Sequence, residues 1–259
     1  MHQSALAVAA LLLAATTAHA AEPLRFELRP QDGAKAQLRI DRDADTRHHD
    51  NWSQSIRLDD IGGLERATLD HGGPLEFRLV RPAGTLACVG RANDHRANGD
   101  CTFAADRRFA DALAARGIGT PTKDEMLQLA MSGATLDVAE ALHAAGWDRP
   151  TIDQLVQLGI FRVTTAGIRD LATAGCRGGA VDTLVKFAIF KVTPQYIAQM
   201  RAAGVADLSN EALVQLRIFA VTPVDAFTVG RPGAASPSAA QLVRRRIFGI
   251  RPRGSSSRG

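Results

Sequence analysis

Residues Leu213 to Pro223 read LVQLRIFAVTP, and the same phrase recurs along the chain. It stands as DQLVQLGIFRVTT at Asp153 to Thr165, DTLVKFAIFKVTP at Asp182 to Pro194, EALVQLRIFAVTP at Glu211 to Pro223 and AQLVRRRIFGIRP at Ala240 to Pro252. A more divergent copy, DEMLQLAMSGATL, precedes them at Asp124 to Leu136. The spacing is 29 residues, and glycine keeps it at Gly117, Gly146, Gly175, Gly204 and Gly233, threonine at Thr135, Thr164, Thr193 and Thr222. Self-similarity at a period of this size marks a repeat architecture.

Each unit has a physical reading. Leu155, Val156 and Ile160, with their equivalents, follow an i, i+1, i+5 pattern that predicts one apolar face of an amphipathic helix. Thr193 or Thr222 then caps a second helix through its hydroxyl, and Pro194 or Pro223 suits the first helical position, where no amide hydrogen is needed. Ile197, Met200 and Ala203 mark the buried side of that second helix, and Gly204 ends it. One repeat is a helical hairpin that cannot bury its own apolar face, so neighbours stack into a short solenoid or curved bundle. The segment DRRFADALAARG, with Asp106 as a cap, predicts an orphan second helix that starts the array. The Ile-Phe pairs at 160/161, 189/190, 218/219 and 247/248 are expected to form the seam between adjacent repeats, with Gln157, Lys186, Gln215 and Arg244 facing solvent.

Between Ala21 and Ala105 the periodicity changes from helical to alternating. LRFELR, AQLRI, LEFRLV, TLACVG and CTFAA read as short strands of an antiparallel sheet with one buried face, separated by turn signals at Asp32-Gly33, Gly72-Gly73-Pro74 and Pro82-Ala83-Gly84. A hairpin centred between Asp94 and His95 sets Cys88 opposite Cys101 and Leu86 opposite Phe103, so a disulfide between Cys88 and Cys101 is expected. Cys176, just after a glycine expected to end a helix, reads as a spare thiol. The fold class is therefore α+β. The expected units are a leader at 1–20, a β-domain at 21–105, helical repeats at 106–230, and a linker with a truncated, loosely docked basic repeat and disordered tail at 231–259.

The ends of the chain bear on its location. An apolar run from Leu6 to Ala15 followed by Ala18-His19-Ala20 reads as a secretory signal cleaved before Ala21, although no Lys or Arg precedes the run. No later segment is apolar enough for a membrane helix, so a periplasmic or secreted protein is expected. With 46% hydrophobic residues in 259, the chain can bury a real core, which excludes disorder throughout. The net charge of +4 conceals an asymmetry: residues 231–259 carry seven arginines and no acid, which leaves −3 for the rest. Arg245 takes an apolar position of the other copies, where Leu158, Phe187 and Leu216 stand. A basic helix of this kind, with Arg244, Arg245, Arg246, Arg251 and Arg253, meets anionic lipid or lipopolysaccharide if it meets a membrane surface. Nucleic acid is not an expected partner of an exported chain with one isolated basic cluster.

Signatures of catalysis are missing: the sequence has no H-E-x-x-H, G-x-S-x-G, G-x-x-x-x-G-K-[ST], G-x-G-x-x-G or C-x-x-C. Asp41, Asp43 and Asp45 begin like a calcium loop, but Thr46 replaces the turn glycine and Trp52 stands where a bidentate Glu belongs, so DRDADTRHHDN reads as a solvated polar loop. His48 and His49 are adjacent and diverge on a strand, which argues against one shared ion. No cofactor is expected, and NWS at Asn51 to Ser53 is a glycosylation sequon only in a eukaryotic setting.

The segment LEFRLVRPAGTLACVGR, then NGDCTFAADRRFADAL, then LVxLxIFxVTPxYI units together resemble a group of exported bacterial proteins with an N-terminal β-region and helical repeats. Similar repeats are attached to membrane sensor peptidases of the type that regulate β-lactamase expression, whose zinc motif and membrane helices this sequence lacks. The resemblance implies architecture and supplies no active site. The leading expectation is an extracytoplasmic module that binds another envelope protein or a peptide. The alternatives are ligand or metal binding, or an enzyme, at the loops around His48, His49, His71 and His95, and attachment to an anionic surface by the tail.

Overall fold

The computed structural model describes residues 24–42, 51–229 and 236–249. The leader, Asp43, Asp45, His48, His49, Arg231, Gly233, Arg251 and Arg253 lie outside those residues. Alternating apolar residues build six strands: β1 (Leu24–Pro30), β2 (Lys35–Arg42), β3 (Asn51–Arg57), β4 (Gly73–Arg81), β5 (Gly84–Asn93) and β6 (Arg96–Ala105). They form one antiparallel sheet in the order β3-β2-β1-β6-β5-β4, with α1 (Arg66–His71) inserted before β4. Phe26, Leu28, Leu38, Ile40, Phe77, Leu79, Leu86 and Cys88 lie on its buried face, while Glu27, Arg39, Glu76 and Val89 alternate onto the open one.

The β5–β6 hairpin turns on Asp94 and His95, both at positive φ, as a two-residue connection between right-twisted strands requires. That register pairs Leu86 with Phe103 and Cys88 with Cys101, and the two cysteines are joined in a disulfide. Where β5 and β6 cross β1, Gly90 pairs with Gly99 and the Phe26 ring covers both. A Cβ on Gly90 would meet the Asn98 carbonyl and the Phe26 ring, so this crossing needs two residues without side chains.

The described ends of the segment expected as a polar loop, residues 41–51, are strand. Asp41 closes β2, and Asn51 pairs with it to start β3. The strand is weakly apolar, with only Trp52 and Ile56 contributing hydrocarbon, but β2 offers a ladder of backbone partners that local composition does not reveal.

The helices follow in ten pieces among the described residues: α2 (Arg107–Ala115), α3 (Lys123–Ser132), α4 (Leu136–Ala144), α5 (Ile152–Ile160), α6 (Thr165–Thr173), α7 (Val181–Phe190), α8 (Pro194–Ala202), α9 (Asn210–Ile218), α10 (Pro223–Val229) and α11 (Ala239–Phe248). First helices stack in the row α3-α5-α7-α9-α11, and second helices pair as α4 with α6 and α8 with α10. The second helices α2, α4, α6 and α8 end in one motif. Gly117, Gly146, Gly175 and Gly204 hold positive φ, and the residue after each returns its amide to the carbonyl of Leu113, Leu142, Leu171 or Met200. Thr164 and Thr193 cap α6 and α8 through their hydroxyls, Thr222 does the same for α10, and Pro194 and Pro223 open α8 and α10. Thr135, in the same phase, precedes α4 without a side-chain cap.

Two expectations about the array need correction. The seam between first helices is built by Leu155 and Leu158, by Leu184, Val185 and Phe187, and by Leu213, Val214 and Leu216. The isoleucines are not in it: Ile160, Ile189, Ile218 and Ile247 are 60%, 45%, 44% and 51% exposed. At about 100° per residue, a position five along lies about 140° round the helix from the first, at the margin of the buried face. Nor is the last helix loosely docked. Ser238 and Gln241 cap α11 reciprocally, Leu242 is buried against α9, and the Ala206 amide bonds to the Pro237 carbonyl.

α3 joins the two halves. Leu127 and Met131 are buried in the core under the sheet, while Met126, Leu129 and Ala130 belong to the core of the repeats. Its first turn is held to the sheet by an ion pair of Asp124 with Arg42, whose guanidinium also lies over the Trp52 ring.

Candidate functional site

The edge strand β3 and the first repeats enclose a cleft of ≈ 890 Å³. One wall is the whole of β3. The floor is apolar, formed by Met131 at the end of α3 and by Val156, Gly159 and Ile160 of α5. The far wall is the α5–α6 turn, where Arg162 holds positive φ and Thr164 caps α6. α3 and α5 approach closely at this floor because position 159 is glycine; a Cβ there would meet the Ser132 carbonyl at 2.7 Å.

The backbone of β3 presents a free edge to the cleft. The Leu58 amide bonds to the Ala34 carbonyl, so in the antiparallel ladder Ile56, Gln54 and Trp52 also turn their backbone groups to β2, and Arg57, Ser55, Ser53 and Asn51 turn theirs outward. Among the described residues no backbone group pairs with this outer side. The one hydrogen bond on this side among the described residues comes from the Arg162 guanidinium, which donates to the Ser55 carbonyl at 2.8 Å. The opposite sheet edge is paired at one position, where Gly62 and Arg78 exchange two backbone hydrogen bonds beside β4.

Two of the three arginines that line the cleft lie beside aspartates. Arg57 pairs with Asp59 at 2.9 Å, which raises the guanidinium pKa, and Arg81 lies 3.7 Å from Asp60. Gln54 Nε2 and Arg81 Nε are buried donors without an acceptor among the described residues, a costly condition for polar atoms. Ser53, Ser55, Ser132, Thr164 and Thr165 supply hydroxyls to the cleft, but no histidine lines it to activate one.

The residues singled out in the sequence are scattered relative to this cleft. Cys88 and Cys101 sit on the buried face of β5 and β6, three strands from β3 or more. Arg244 and Arg246 are exposed and Arg245 half-buried on α11, at the far end of the array. His95 lies at the tip of the β5–β6 hairpin with its Nδ1 3.8 Å from Asp70, beside His71 at the end of α1. Asp41 is engaged by Arg39 at 2.9 Å. Among the described residues no three His, Cys, Asp or Glu side chains are placed to hold a metal ion, and no single helix is long and apolar enough to cross a membrane. Cys176 is buried, and burial raises its thiol pKa, which disfavours the nucleophilic thiolate.

Of the repeat positions named from sequence, Thr135, Val156, Ile160 and Thr164 line the cleft. The edge strand and Arg162 were not legible as a site. The Ile-Phe pairs invite a hydrophobic ligand groove, a reading that ranks behind packing between repeats, and Ile160 and its equivalents repeat at the position where the first copy has Met131. Comparisons with protein-family models, with curated proteins and with solved structures find no match to this chain.

Proposed function

We propose that the protein is an extracytoplasmic interaction module that binds a protein or peptide of the cell envelope and has no catalytic activity of its own. The observation that carries this reading is one repeat position seen in five copies. In the first copy Met131 is 3% exposed and buried beneath the sheet, whereas its equivalents Ile160, Ile189, Ile218 and Ile247 stand in solvent along the same face. A face that docks a sheet in one copy and remains apolar in the other four is a surface suited to a further protein layer. Export is supported by the Leu6 to Ala20 leader pattern and by the Cys88–Cys101 disulfide, which persists in oxidising compartments. The kinship we propose is with exported bacterial proteins that carry these repeats behind a β-region.

Site-specific photo-crosslinking in cells tests the reading. A photoreactive residue at 160, 189 or 218 is expected to form a discrete adduct with an envelope component, and one at Glu76 on the open face of the sheet is not. Equal, diffuse labelling from all four positions, or none, would overturn it.

A further inference from the structure

We infer that the outer edge of β3 is a strand-addition site, which takes an extended, alternately apolar segment of a partner protein as a seventh strand of the sheet. The inference deepens the interaction-module reading and rests on it.

Three features converge on this occupant. The first is the unfilled ladder: the outward groups of Asn51, Ser53 and Ser55 have one partner between them, the Arg162 guanidinium on Ser55. Unpaired edge groups are a template for another strand, and natural proteins that do not use them usually cover or blunt them. Here Gly62 pairs with the β4 edge at Arg78, whereas no backbone group among the described residues pairs with the β3 edge.

The second is the floor. Met131 already lies under the sheet, and one repeat further along Ile160 occupies the equivalent position beside β3, exposed, with Val156 half-buried next to it. Val156 and Ile160 line the same cleft as the whole of β3, so a strand added to the outer edge of β3 enters the space that they floor. The added strand continues the sheet–helix interface that α3 begins.

The third is charge. Arg57 and Arg81 each face an aspartate and the floor of Met131, Val156, Gly159 and Ile160 carries no charge, so the inward residues of the added strand are apolar and its backbone supplies the binding polarity. A strand amide takes the Ser55 carbonyl from Arg162, and the freed guanidinium finds an acceptor in the newly added backbone.

The test uses the full chain and a phage-displayed library of random linear peptides. Selected peptides should alternate apolar and polar residues and slow hydrogen exchange at the Asn51, Ser53 and Ser55 amides. Ser53→Pro removes an outward amide at a position where an edge strand tolerates proline, and Ile160→Asp charges the floor without touching the strand. Each should weaken peptide binding by about tenfold or more, while Ile247→Asp at the far end of the stripe leaves it unchanged. Peptides that bind without protecting those amides, or that are indifferent to both substitutions, overturn strand addition and leave the interaction reading standing. Failure to select any peptide also overturns strand addition, and crosslinking from positions 189 and 218 then decides the broader reading separately. Protection of the same amides on concentrating the protein alone would mean that a second copy fills the edge, which overturns the partner segment.

Discussion

Left-handed residues follow every first helix of the array, and only some of them are glycine. Gly133 and Gly249 occupy this position in the first and last copies, but Arg162, Lys191 and Ala220 stand there between, all at positive φ. A side chain in that conformation costs on the order of 1 kcal/mol relative to glycine. Ala220→Gly should therefore raise stability by about 1 kcal/mol, read as a higher denaturation midpoint, and Gly175→Val at the end of a second helix should lower it. Tyr196 is the other residue whose setting has a measurable consequence. It is buried, its hydroxyl donates to the Val221 carbonyl at 2.9 Å, Arg217 lies over its ring, and burial pushes its pKa up to about 12. Because the folded pKa is raised, this stabilisation is complete below the ordinary tyrosine value of about 10 and is lost as pH climbs from there towards 12. Tyr196 is the only tyrosine, so absorbance of the phenolate should appear late and together with unfolding. Tyr196→Phe should cost about 1–2 kcal/mol through the orphaned carbonyl.

At the scale of elements, the repeats differ most at their contacts with what precedes them. α3 is apolar on two sides because it serves two cores, and its deviation from the consensus phrase is a docking adaptation: Met131 is long and flexible enough to fill the space under a twisted sheet. Later copies carry isoleucine there and face solvent. The ends of α3 and α10 respond to acid. Hydrogen bonds from Thr222 hold the Asp225 carboxyl below the usual carboxylate range, and Arg42 does the same for Asp124. These are depressed values, so the stabilisation is present above the ordinary carboxyl pKa of about 4 and is lost as pH falls through the folded values. The thermal midpoint should drop on acidification from about pH 5 to about pH 3, and Asp225→Asn should remove part of that drop.

For the molecule as a whole, α3 couples sheet and repeats into one folding unit. Leu127 faces the sheet and Leu129 the repeats, one turn or less apart on the same helix. Leu127→Ala and Leu129→Ala should each cost about 2–5 kcal/mol, and each should shift the unfolding of both halves together when hydrogen exchange is followed strand by strand and helix by helix. Separate shifts would show that the halves unfold independently.

Much of this was legible in the chain. The 29-residue phrase carries its own caps, turn prolines and terminal glycines, which are local interactions and so survive translation into sequence pattern. The β5–β6 register was equally readable, since a two-residue turn and an alternating face leave one arrangement that pairs Cys88 with Cys101. What sequence pattern left open was decided by neighbours distant along the chain. β3 is a strand because β2 offers it a ladder, and Ile160 is exposed because the sheet that covers Met131 ends at β3. Burial and strand pairing depend on what lies across the gap, and no local period encodes where a sheet ends.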